Sequence, residues 1–234
     1  MAPTDLVLAR NGVRGLYTRT LFRYRRRLLD EMGPALELGR SFVRPEFQRD
    51  YQPLLLLWKG IGRLVASEPR YRMLFGPVSI SADYGTTTRQ LLARFLLANR
   101  YSTELGSLVR PRRPLREDPL DGADAIVRST VVGSVDDVDA LVRELETDRR
   151  GIPVLLRQYL RLNGKLLGFS VDPAFGRVLD GLIVVDLTTV GFALLAKYLG
   201  KEDAQRFLAL HRPGERAAET VISTGTKPAH ALTT

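Results

Sequence analysis

The chain has 234 residues, 44% of them hydrophobic, and carries 35 Lys and Arg against 26 Asp and Glu, a net charge of +9. That size and apolar content suit one domain of moderate size, and the charge excess points to an anionic partner: nucleic acid, a phospholipid surface or an acidic protein. Cysteine is absent and the two histidines, His211 and His230, lie near the C-terminus. This excludes disulfides, thiolate metal sites and cysteine nucleophiles, and argues against a histidine triad or a multi-histidine metal centre.

In chain order, MAPTDLVLARNG lacks the basic-then-apolar pattern of a signal peptide. The longest apolar runs, such as LLLLW at 54–58, are far too short to span a bilayer. We therefore expect a cytosolic protein, with a peripheral position on the inner face of a membrane as the variant. Residues 5–20 are ambiguous between helix and strand. FRYRRRLLDEM, 22–32, reads as a short basic helix closed by Gly33-Pro34. ALELGRSFV, 35–43, reads as a strand, and 44–52 as a turn. Pro53 opens a helix to about Ser67 with Leu54, Leu57, Ile61, Leu64 and Val65 as its buried stripe. Gly60 and Gly62 in that helix imply close approach by another element.

MLFGPVSISA, 73–82, is a second strand, and Pro77 makes it an edge or bulged strand. Residues 86–101 form an amphipathic helix with a Thr cap. Periodicity is lost over 102–130, where RPRRPLREDP at 110–119 reads as a basic, proline-rich linker. Ser134 and Asp137 form a capping box for a helix to 151, and a further helix covers 152–164. LLGFSVD and LDGLIVVDLT are two strands suited to antiparallel pairing; helices near 191–199 and 201–211 follow. The tail from Arg212 is polar and expected to be disordered. The strand–helix–strand–helix opening invites parallel pairing through crossovers. The fold class is therefore α/β, a mixed sheet flanked by helices.

No GxGxxG, GxxxxGK[ST] or GxSxG motif occurs, nor a histidine four residues ahead of an aspartate. What stands out is charge inside a strand: Glu37 and Arg40, three residues apart. Residues i and i+3 of a strand point to opposite faces, so a direct pair needs a bulge, for which Gly39 is well placed. Charges in a sheet are costly unless paired or beside a cleft, which leaves either an edge-strand salt bridge or a substrate cleft. The clusters FRYRRR and RPRRPLR offer charge for an anion; no nucleic-acid motif accompanies them, and we expect no nucleic-acid partner. Asp172, Asp180 and Asp186 read as turn residues. Ser79, Ser81, Asp83 and Tyr84 end the second strand, a common border of ligand sites. Trp58 reads as core.

Taken together, ALELGRSFV, LLLLWKGIGRLV, RYRMLFGPVSIS and GFSVDPAFGRVLDGLIVVDL resemble the GNAT-type N-acyltransferases that use acyl carrier protein thioesters, the ornithine-lipid and glycine-lipid acyltransferases with their hemolysin-labelled relatives. The resemblance covers roughly residues 15–205. Glu37 to Arg40 also resembles a piece of the acyl-homoserine-lactone synthases. The resemblance implies that strands 35–43 and 73–81 are the fourth and fifth of the GNAT sheet, splaying apart to admit the donor's thioester arm. It implies that Glu37 orients or deprotonates the attacking amine and that Arg40 holds Glu37 or an acidic group of a substrate. Backbone N–H groups of the first strand would stabilise the oxyanion. Ser41, Val43, Arg44, Arg49, Ser79 and Ser81 would line the donor site, with Arg44 and Arg49 near its phosphate. No bound cofactor and no metal are implied; the co-substrate is an acyl carrier protein thioester or acyl-CoA. RPEFQRDYQ at 44–52 lacks the glycines of an acetyl-CoA loop, which favours the carrier protein.

The expected activity is therefore transfer of a fatty acyl group to an amine, an amino acid or aminolipid, in membrane aminolipid synthesis. The alternatives are an inactive GNAT remnant binding an acidic protein or membrane surface, and an acyl-lactone signal synthase. About 35 residues precede the strand 35–43, fewer than the opening of the family's fold requires. The expected organisation is thus an N-terminally truncated GNAT-like domain over 1–211, with a loop and helical insertion at about 102–164 and a tail over 212–234.

Overall fold

The run MLFGPVSI is apolar at nearly every position, as a strand covered on both faces should be. In the computed structural model it is the middle strand of a five-stranded sheet. The structure describes residues 1–39, 44–47, 52–115 and 134–211. Across the sheet stand β1 (Ala2–Pro3), β3 (Ala35–Glu37), β4 (Met73–Ile80), β7 (Val178–Asp186) and β6 (Lys165–Asp172). β3 and β4 are parallel, and every other neighbouring pair is antiparallel. This is the expected mixed sheet flanked by helices, consistent with a GNAT-like fold. A separate antiparallel ribbon joins β2 (Phe22–Tyr24) to β5 (Val109–Pro111).

Alternation along β4 divides the core. Leu74, Val78 and Ile80 face one layer with Leu179, Ile183 and Val185 of β7. Helices cover that face: α3 (Gln52–Ser67), α4 (Thr86–Asn99), α6 (Val135–Leu145), α7 (Val154–Arg161), α8 (Phe192–Leu199) and α9 (Lys201–His211) supply Trp58, Val65, Phe95, Val138, Tyr159, Leu195 and Phe207. Trp58 is core, edge-on to Tyr159 at 5.3 Å. Met73 and Phe75 face the other layer with Leu182 and Val184, under Leu16, Phe22, Leu28 and Met32 from the N-terminal region. There α1 (Thr4–Asn11) and two 3-10 turns take the place of the ambiguous stretch 5–20, and α2 (Arg26–Met32) is the later part of the basic helix expected over 22–32.

Several elements differ from the sequence reading, each for a physical reason. Residues 22–24 are strand, not the start of a helix, because Phe22 and Tyr24 are buried on one face while Arg23 points out. Their partner is the stretch read as a linker: Arg23 pairs with Arg110, and Phe22 with Pro111. β4 is central rather than an edge. α4 takes its cap from afar, since Gly85 N–H donates to Glu146 Oε1 at 3.0 Å and no Thr side chain caps it. The insertion contains α5 (Thr103–Gly106), β5, α6 (Val135–Leu145) and α7. Its capping box at Ser134 and Asp137 forms as expected. Asp139 of α6 accepts from Ile152 N–H at 2.8 Å and Arg143 Nε at 2.9 Å, and is also bonded by Arg157. These bonds lock the loop between α6 and α7. The expected tail and residues 116–133 lie outside the described residues.

Of the two helix glycines, only Gly62 serves close packing. A Cβ there would sit 2.4 Å from the Tyr198 carbonyl oxygen of α8, whereas one at Gly60 would meet nothing within 4 Å. Gly60→Ala is therefore expected to raise unfolding free energy by up to about 1 kcal/mol through helix propensity. Gly62→Ala should lower it by about 2 kcal/mol, because overpacking against backbone outweighs that gain. Urea unfolding of the two variants measures both signs.

Candidate functional site

β3 and β4 run side by side over Ala35–Glu37 and Met73–Phe75. Among the described residues the last bond between them is Leu38 N–H to Phe75 C=O, 2.8 Å. Backbone groups alternate sides along a strand. Phe75 therefore faces β3, Gly76 faces β7, and Pro77 faces β3 again. Pro77 has no N–H to offer there. Gly76 is the other half of the device: a Cβ would lie 1.9 Å from the Leu38 carbonyl oxygen, so only glycine lets β3 lean this close. Beyond Pro77, Val78 to Ile80 pair with β7 alone among the described residues. Among the described residues, β4 is thus paired on both sides at its start and on one side at its end.

Glu37 sits at the end of β3, buried, with 3% of its surface exposed. Its Oε2 accepts from Tyr17 N–H at 3.0 Å, and its Oε1 from Thr18 N–H at 2.8 Å and Thr18 Oγ1 at 2.6 Å. The carboxylate therefore fastens the 3-10 turn Tyr17–Thr20 to the sheet. Thr18 Oγ1 also lies 2.6 Å from the Tyr24 hydroxyl, so β2 joins the same network. Burial, reinforced by the Glu37 charge, pushes the Tyr24 pKa well above its ordinary value despite the Thr18 bond. Gly39 makes room for the Tyr17 ring, whose Cδ1 would be 2.7 Å from an added Cβ.

Of the other expected site residues, Arg40, Ser41, Val43 and Arg49 lie outside the described residues. Arg44 is exposed and ion-paired with Glu46 at 2.8 Å. Ser81 Oγ donates to Asp83 Oδ2 at 2.8 Å at the mouth of α4. Ser79 is exposed on β4, two residues past Pro77, on the face that carries Glu37 and Phe75. Its hydroxyl donates to Asp180 Oδ1 at 2.6 Å.

Asp180 is the residue that sequence reasoning misplaced. Asp172 and Asp186 do serve turns, accepting from Ala174 N–H and Thr188 N–H at 2.9 Å each. Asp180 instead lies inside β7, paired with Ser79 on one side and Ser170 on the other, and is 3% exposed. Burial above all, helped by Asp172 and opposed by the Ser79 bond, pushes its pKa up to about 6 from 3.8. The available signal was a lone carboxylate in an apolar run, Leu179–Val185; the Asp-Gly dipeptide obscured it.

The ribbon of β2 and β5 unites the two basic clusters. Two cavities open against it, of about 700 and 660 Å³, sharing Arg19, Arg23 and Arg112; Arg25 and Arg110 line the first, Arg14 and Arg113 the second. No carboxylate lines either. Arg23 stands directly opposite Arg110 in the ribbon, an arrangement that is destabilising unless an anion intervenes. Arg19 Nε is buried with no partner in the protein. Among the described residues, no group of acidic or histidine side chains is arranged to hold a metal ion.

Residues 3–59 match the family model described as "Acetyltransferase (GNAT) domain". The match runs from β1 into α3 and so includes Glu37 and the whole of β3. Comparison with curated proteins and with solved structures gives no match.

The bonds to Glu37 define a structural test. Glu37→Gln keeps the shape but turns a donor toward an N–H already seeking an acceptor. It should cost about 2 kcal/mol of stability, read by urea unfolding, with a loss of protection at the amides of Tyr17 and Thr18 in hydrogen exchange.

Proposed function

We propose that this protein transfers an acyl group from a thioester on an acidic carrier protein to an amine. The observation that carries this reading is the match of residues 3–59, which include β3 and Glu37, to the GNAT family model, beside a strand β4 whose Pro77 offers β3 no N–H. A gap between two parallel strands admits an extended thioester arm, and backbone groups freed from pairing supply hydrogen bonds to it. The amine nitrogen attacks the thioester carbonyl, the C–N bond forms, the C–S bond breaks, and a thiol leaves. The proton lost from the amine needs an acceptor.

Glu37 accepts three hydrogen bonds, which supports an anchoring role in place of the base role that the resemblance implies. Asp180 is better suited to the proton. Among the described residues its one hydrogen-bond partner is a hydroxyl on an exposed residue, and a pKa of about 6 leaves it ionised yet basic at neutral pH. Ser79 can accept a proton from the amine while passing its own to Asp180. The arginine ribbon supports an acidic donor protein: it is concave, unneutralised by any lining carboxylate, and lies on the sheet face that carries Asp180 and Glu37. A fatty acyl chain and an aminolipid product remain the favoured substrate class. The same ribbon also favours a second reading, a non-catalytic protein that binds an acidic partner.

Thiol release separates the two. The full chain incubated with an acyl carrier protein thioester and ornithine or glycine should release thiol and form an amide. Carrier binding without thiol release for any amine leaves the second reading standing. Charge reversal by Arg23→Glu with Arg110→Glu should raise KM for the carrier thioester about tenfold while sparing kcat. Asp180→Asn should reduce kcat by about 100-fold or more, and wild-type activity should rise with pH through about 6.

Asp180 also sets a pH dependence of stability. Its folded pKa exceeds the ordinary 3.8, so the native state holds a proton that the unfolded chain has already lost. The stability it contributes is therefore present below about pH 4 and is lost as pH rises to about 6. Asp180→Asn should abolish that decline and be more stable than wild type at pH 7, as thermal melts across pH 4 to 7 would record.

A further inference from the structure

A third cavity, of about 870 Å³, opens at the other border of the sheet, between the start of α4, the edge of β6 and the turn from β6 to β7. Arg89, Arg112, Arg113 and Arg177 line it together with Gln90. No carboxylate lines it, and none of these four arginines forms an ion pair among the described residues. Arg89 donates one guanidinium N–H to the Arg177 carbonyl at 3.0 Å, while its Nε is buried with no partner in the protein. Burial, and then the Arg177 charge, pull the Arg89 pKa below the ordinary arginine value. Arginines that line one recess without an acid among the described residues are an arrangement that a multiply charged anion stabilises.

Gln90 adds a second requirement. It is 6% exposed, and its Oε1 has no partner in the protein. A buried carbonyl left unpaired costs about 1–3 kcal/mol, which a ligand bearing an O–H or N–H donor would recover. Pro114 and Val171 supply a short apolar wall. Thr86, the first residue of the 14-residue α4, lines the cavity too. Finally, Arg177 has φ of 59° beside Gly176 at 61°. The left-handed region suits glycine, so the turn accepts backbone strain in an arginine whose guanidinium reaches this cavity.

We infer that this cavity is a binding site for a phosphomonoester carrying a neighbouring hydroxyl: the phosphate meets the guanidinium groups of Arg89 and Arg177, and the hydroxyl donates to Gln90. A monocarboxylate would neutralise only one of the four cations. A planar lipid surface would not enter a recess. A dianionic phosphate takes paired guanidinium forks in their preferred geometry. The site does not depend on the acyl-transfer reading.

Titration calorimetry on the full chain with inorganic phosphate and with glycerol 3-phosphate tests it. Glycerol 3-phosphate should bind more tightly than inorganic phosphate. Gln90→Leu should erase that preference and leave inorganic phosphate unchanged. Arg89→Gln should weaken both ligands about tenfold or more. Arg177→Gly should do the same, and because glycine suits the turn it keeps the fold should Arg89→Gln fail to do so. Arg14→Gln with Arg23→Gln, which line another cavity, should leave binding within about twofold. Undiminished binding in Arg177→Gly, or an equal loss in the Arg14 and Arg23 variant, would overturn the site in favour of a diffuse basic surface. Absence of binding by either ligand would overturn it outright.

Discussion

The site depends on how β3 and β4 meet at Gly76 and Pro77. A parallel ladder continues as long as each alternate residue can donate and accept toward its neighbour. At Pro77 the donor is missing on the side that faces β3, and at Gly76 the missing side chain lets the Leu38 carbonyl press against the strand. The two residues act together: one brings the backbones close, the next withholds a donor from β3. β4 is held in the sheet beyond that point by β7, which pairs with it through Ile80.

The same division of labour governs charge. The acidic residues of the helical insertion are occupied in local structure: Asp139 holds Arg143 and Arg157, and Glu146 caps α4 while lying near Arg150. The arginines of the β2–β5 ribbon and of the β6 edge receive no such partner among the described residues. A surplus of positive charge distributed evenly over the surface would mean solubility and little else. Here the surplus is concentrated in three recesses that share Arg112, which concentrates the field where an anion can enter.

The sequence made the strands legible and the contacts between them opaque. Alternation and turn chemistry located β4, β6 and β7, the capping box at Ser134, and Trp58 as core. The pairing of β2 with β5 was invisible because its two strands are three residues each, lie far apart in the chain, and are dense in arginine and proline, a composition that reads as linker. Gly60 and Gly62 look identical in sequence, yet only one meets a neighbouring backbone. The charge at Glu37 was correctly recognised as out of place in a strand. Its partners were not foreseeable, since they are backbone N–H groups of a 3-10 turn some twenty residues earlier.

Buried carboxylates show why a charge in a strand is not by itself a reactive group. Glu37 accepts two backbone N–H bonds and a hydroxyl; Asp139 accepts a backbone N–H and two guanidinium groups. Both are thereby committed to holding the chain. Asp180 is as buried as Glu37, but among the described residues it meets only one serine hydroxyl, with Asp172 nearby to repel it. Desolvation without compensating donors makes the charged form expensive. A carboxylate in that condition accepts a proton readily, and its hydroxyl partner Ser79, on an exposed position of β4, gives the proton a route in. That coincidence of poor solvation with access separates a reactive position from a structural one.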